Sequence, residues 1–104
     1  MTAGFPGFGH TYLVDFVSFR VELSFVPPSS LTYTNVTPDG KKGGSETVQI
    51  RAEEISDGIF LVTWQEVDKT TVVHIENFPK KTIVTNITNP DLSFEQDHGT
   101  FIEL

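Results

Sequence analysis

Cysteine is absent from this chain. No disulfide braces the fold, and no thiolate is available to a metal. Basic residues are scarce: 7 Lys and Arg face 14 Asp and Glu, for a formal charge of −7. Such a surface repels phosphate backbones and anionic headgroups, so neither nucleic acid nor a membrane is expected as a partner. No apolar run approaches the roughly 20 residues of a membrane helix. The opening Met1–His10 lacks the basic start and apolar stretch of a secretory signal. A cytoplasmic location is expected on that ground, and the Asn35-Val36-Thr37 and Asn86-Ile87-Thr88 sequons then read as chance matches. Helical periodicity is missing beyond a single turn. There is no Gly-x-Ser-x-Gly elbow, and Gly40–Gly44 lacks the Lys-Ser/Thr ending of a phosphate loop. His10, His74 and His98 show no paired-ligand spacing, so no metal and no cofactor are expected.

What the chain does have is strand. Its 104 residues suit one domain with one modest core. Ile59–Asn77 holds two runs rich in β-branched and aromatic residues, separated by a turn at Asp68-Lys69. Alternation puts Phe60, Val62, Trp64 and Glu66 on one face. Arg20–Val26 alternates as cleanly, with Val21, Leu23 and Phe25 opposed to Arg20, Glu22 and Ser24. Further strands are expected at Thr11–Phe16, Leu31–Val36, Glu46–Ser56, Thr82–Thr88, Leu92–Gln96 and Thr100–Leu104. Pro27-Pro28, Asp57-Gly58, Asn89-Pro90-Asp91 and Asp97-His98-Gly99 punctuate them. Pro38–Gly44 is expected to be a mobile loop. Eight or nine short strands with regular turns imply an all-β, antiparallel up-and-down barrel in a single domain over 1–104. A barrel of that size holds packed side chains or one small ligand.

Three segments carry a resemblance. Asp57–Glu66, Thr71–Phe78 and Thr85–Thr88 resemble the MoaF-like proteins, and the likeness runs from Gly9-His10 to Gly99-Thr100. It implies a calycin-like (lipocalin-like) barrel. The chain is more distantly similar to the phenolic acid decarboxylases at Asp57–Phe60, Trp64–Glu66 and Gln96–His98. That second likeness places their glutamate on Glu66. Their arginine falls near Lys42-Gly43, where no arginine stands, and their paired tyrosines fall near Leu13 and Asp15, with Tyr12 close by.

The expected role is binding a small, partly apolar, aromatic ligand inside the barrel. The alternative is an enzyme acting on such a ligand, a decarboxylase-like or other lyase or isomerase. A third class is a structural protein whose barrel is filled with side chains. Tyr12, Phe25, Tyr33, Phe60 and Trp64 are the candidate walls, with Glu54 and Asn86 as polar contacts. Glu66, expected at the barrel floor beside Trp64 and Phe60, is the candidate acid–base group, and His74 its partner. The orientation of His74 stays open. Alternation favours Thr71, Val73 and Ile75 as the inward face, whereas the resemblance favours His74. A homodimer is expected from the decarboxylase likeness and from 9 phenylalanines, of which Phe5, Phe8, Phe78 and Phe101 fall outside the alternating faces.

Overall fold

Nine strands and no helix occur within residues 4–104, the span described by the computed structural model. They are β1 (Thr11–Asp15), β2 (Arg20–Val26), β3 (Ser30–Val36), β4 (Lys42–Gln49), β5 (Arg51–Ser56), β6 (Ile59–Gln65), β7 (Thr71–Asn77), β8 (Thr82–Thr88) and β9 (Phe94–Glu103). All pair antiparallel in one sheet, in the order β4-β3-β2-β1-β9-β8-β7-β6-β5. The sheet curls as an up-and-down barrel, with its inner side chains drawn from alternate positions of each strand.

The two ends of that order are one piece of chain. Glu46–Ser56 reads as a single strand, but the backbone bends at Ile50, whose N–H donates to the Ser29 carbonyl at 2.8 Å. Before the bend the segment pairs with β3, and after it with β6. A continuous strand thereby serves both edges of the curled sheet. Before the bend, β4 also lies beside β6 without pairing, which leaves a seam.

Two turns expected from glycine are strand. Lys42–Gly44 opens β4, with Lys42 opposite Val36. The loop before it is tied by hydrogen bonds from Thr37 N–H to Lys41 O and from Gly40 N–H to Thr37 O. Likewise Asp97-His98-Gly99 lies inside the unbroken β9, which pairs with β8 and then with β1. Gly99 answers a packing demand there: a Cβ would run into the Asp15 carbonyl oxygen and the Phe16 ring. Gly58 is the turn glycine the sequence implies, at φ 71° between β5 and β6.

One end of the barrel is plugged by aromatic rings. Phe5 packs edge-on against Phe8, Phe25, Phe60 and Phe78, and Phe78 and Tyr12 both meet Phe101. Phe5 and Phe101 are buried, and Phe8 and Phe78 pack against the core. These four rings therefore fill the fold, and they lend no support to a dimer interface. The N-terminal segment, irregular in sequence, carries Phe5 back over the opening, which strand alternation could not reveal.

The β1–β2 turn stores strain. Val17 sits at φ 74° with 93% of its surface exposed. A β-branched residue in the left-handed region costs about 1–2 kcal/mol, which asparagine largely escapes. Val17→Asn is expected to raise stability by about 1 kcal/mol in urea unfolding. A lower midpoint for this variant would contradict the strain.

Candidate functional site

The plug leaves the other end open. Inward side chains form layers across the sheet, and their order along each strand sets their depth. Phe60, Val62 and Trp64 run from the plug to the mouth on β6, Glu76, His74 and Val72 on β7, and Ile83, Thr85 and Ile87 on β8. A cleft of about 420 Å³ occupies the mouth. Phe16 and Phe19 from the β1–β2 turn, with Val21 and Leu23 of β2, make one wall. Tyr33 and Asn35 of β3, in register with Leu23 and Val21, extend that wall, and Trp64, Val72, His74, Thr85 and Ile87 of β6, β7 and β8 complete the lining. Glu66, Asp68, Thr70, Asn89 and Glu95 contribute to the rim.

Glu66 follows the last residue of β6 and so stands at the rim; the floor position expected from the sequence is overturned. Phe60 is three layers deeper, in the plug. The Glu66 carboxyl accepts a hydrogen bond from Trp64 Nε1 at 3.1 Å. The Trp64 ring stacks on Tyr33, with centroids 6.3 Å apart, and meets the His74 ring edge-to-face at 4.7 Å. Trp64, Val62 and Phe60 are all buried on one side of the sheet, as the alternation implies.

Glu46 closes the seam. It lies opposite Tyr33 on β4, and its carboxyl accepts from the Tyr33 hydroxyl at 2.7 Å and from Val67 N–H at 2.9 Å. One side chain thus staples β4 to the β6–β7 turn. Sequence reasoning missed it because the partners are brought together only by the curl.

His74 faces inward and is 3% exposed. The more apolar positions Val73 and Ile75 face outward, against what alternation favours, because the register with β6 puts His74 opposite Val62 and Glu76 opposite Phe60. The partner of His74 is Glu76, two residues along the same face, with Nδ1···Oε2 at 3.1 Å. Pairing of His74 with Glu66 is accordingly replaced by pairing with Glu76. A carboxylate only accepts, so in the neutral imidazole Nδ1 carries the proton and Nε2 is left as an acceptor. Glu76 was recognisable as a face-mate of His74 at i+2, and the sequence held no further sign of its burial. Thr85 lies directly opposite His74 on β8, and its Oγ1 is buried with no hydrogen-bond partner among the described residues.

The other sequence candidates lie elsewhere. Tyr12 and Phe25 border a void of about 10 Å³ in the plug, with Glu76 at its edge. Glu54 is at the plugged end, where it accepts the Gly58 N–H at 3.2 Å. Asn86 sits on the outer face, donating to the Val73 carbonyl and accepting from Gln96. The structure therefore brings Tyr33, Trp64, Glu66 and His74 together at one cleft and leaves Tyr12, Phe25, Glu54, Phe60 and Asn86 away from it.

Both tyrosines of the chain are held in the neutral form. Burial, then the Glu46 hydrogen bond and the nearby Glu66, push the Tyr33 phenol far above its ordinary 10.0. Burial, then Glu103 and Glu76, raise that of Tyr12. With folded values above the unfolded one, this contribution to stability is whole below about pH 10 and is lost as pH rises beyond it. Ultraviolet titration of the folded protein is expected to show its tyrosinate band displaced above pH 10. A tyrosinate band near pH 10 with the fold intact would contradict this.

Comparison with known proteins gives two findings. A family model described as MoaF-like matches residues 8–102. A crystal structure from Burkholderia vietnamiensis, of a protein described provisionally as a beta-lactamase, superimposes with a TM-score of 0.88 at 24% identity, covering 95% of this chain and 96% of that one. At that identity the likeness speaks to the fold alone. No curated protein sequence matches.

Proposed function

The chain belongs to the MoaF-like family, and from that premise and the open end of its barrel we propose that it binds a small, partly apolar, aromatic ligand in the cleft. One observation carries this: a cleft of about 420 Å³ lined by the rings of Phe16, Phe19, Tyr33 and Trp64, with polar groups at its rim and floor. Specific pockets for small molecules are roughly 300–1,000 Å³ and share that mixture. A structural barrel would be plugged at both ends with side chains, and this one is plugged at one.

The chain has a single tryptophan, and it lines the cleft, so its fluorescence reports occupancy directly. A fragment and metabolite screen read by Trp64 emission is expected to yield saturable ligands, whose crystal complexes sit between Trp64 and Phe19. A screen whose hits leave Trp64 unperturbed and bind on the outer sheet face would overturn the reading.

The His74–Glu76 pair favours a second reading, an enzyme acting on such a ligand. An imidazole oriented by a carboxyl beside a cleft is suited to moving a proton. In that reading His74 takes the acid–base role, and Glu66 at the rim contacts the ligand. Turnover of a bound ligand that is lost in His74→Gln, with binding retained, is the result expected of it.

A further inference from the structure

We propose that the cleft is selective for an organic cation, an ammonium group carried on an aromatic frame. This rests on the ligand-binding reading above and specifies its chemistry. The charge pattern of the wall is one-sided. Glu66, Asp68 and Glu95 line it, and among the described residues no Lys or Arg does. A ligand carboxylate would be drawn from water against three acids, with no Lys or Arg among the described residues of the lining to offset them. An ammonium meets the opposite situation, and the available rings strengthen it. Tyr33 and Trp64 stack in the lining, and the rings of Phe16 and Phe19, also in it, lie 4.9 Å apart. The faces of such rings attract cations, most strongly when the site is partly dry.

A second observation is independent of the acids. Thr85 is 1% exposed, lies in the cleft wall, and holds a hydroxyl oxygen with no partner among the described residues. A buried hydroxyl left unpaired is costly; its lone pairs would accept a ligand N–H, as its proton would serve a ligand acceptor. The carboxylates of Glu66, Asp68 and Glu95 are acceptors only, whereas Asn35, Thr70, His74 and Asn89 in the same lining accept as well as donate. The complement to acceptors, rings and negative charge is an amine.

The test is a matched set of probes at low ionic strength: phenethylamine, phenethyl alcohol and hydrocinnamate, with Trp64 fluorescence as the readout. The amine is expected to bind about tenfold more tightly than the alcohol, with hydrocinnamate weakest. Added salt should narrow the gap. Glu66→Gln keeps an acceptor for Trp64 Nε1 and should remove most of the preference while sparing the alcohol. Thr85→Val, of similar size, should weaken the amine severalfold and raise the melting temperature. Alcohol and amine binding equally would overturn the cation selectivity and leave ligand binding standing. Hydrocinnamate binding most tightly would also overturn it, with the same distinction. An amine affinity unchanged in both variants would remove the assigned residues and the proposal with them. Failure of all three probes, together with a fragment screen that leaves Trp64 unperturbed, would overturn the ligand-binding reading as well.

Discussion

Trp64→Ala is expected to destabilise the protein by about 3–5 kcal/mol, which for a domain of this size lowers Tm by on the order of 20 °C. The ring is 9% exposed and joins β3 to the β6–β7 hairpin, which β3 meets only through the curl of the sheet. It stacks on Tyr33 of β3, meets His74 of β7 edge-to-face, and donates its N–H to Glu66. Truncation removes the contact across the seam between β4 and β6 as well as buried area. The cleft would open to the solvent side of Tyr33, so ligand binding should fall along with stability. Chemical unfolding monitored by circular dichroism measures the loss. A value below about 1 kcal/mol would mean the ring contributes little more than a surface residue.

Glu76→Leu is expected to cost about 3–5 kcal/mol, although it places an apolar residue in an apolar layer. The reason is the partner it abandons. His74 Nδ1 would be buried with nothing to accept its proton, and the penalty for an orphaned group exceeds the net worth of the bond it made. Replacing both residues, His74→Leu with Glu76→Met, removes the polar pair together and should recover most of that loss. The double-mutant cycle therefore gives a coupling on the order of 2–3 kcal/mol, beyond the usual additive scatter. A double variant as unstable as the sum of the single ones would show that size and shape dominate the layer. If the pair serves a bound ligand, the double variant should be more stable than Glu76→Leu yet no longer perform the pair's chemistry.

The strand pattern was legible because each strand has one wet and one dry side. Arg20–Val26 and Thr82–Thr88 appear in the structure with the bounds their alternation gives. Trp64, Val62 and Phe60 likewise fall on one buried face. Alternation failed where a side chain's chemistry and its environment disagree. On β7 the apolar Val73 and Ile75 face outward, and the polar His74 and Glu76 face inward because they satisfy each other. Hydropathy scores residues singly and has no way to register a pair that neutralises its own cost. Glycine was read as a turn at Gly99, where its use is to let β9 approach β1; both uses leave the same letter in the sequence.

By itself the sequence determined an all-β chain of eight or nine antiparallel strands, most of the turn positions, the inner face of β6, and the acidic balance with no cysteine. These follow from local rules: side-chain period, backbone freedom at glycine and proline, and the sum of charges. The tertiary structure alone decided which end of the barrel is closed, and therefore which inward residues meet a ligand. Phe5 folds back to seal Tyr12, Phe25 and Phe60 into a plug, so three of the five expected wall rings became core at the closed end. The curl of the sheet then brought Glu46 to Val67 and Tyr33 to Trp64, from strands far apart in the chain. Both outcomes depend on contacts between distant segments, and no periodicity within a single strand encodes where such segments meet.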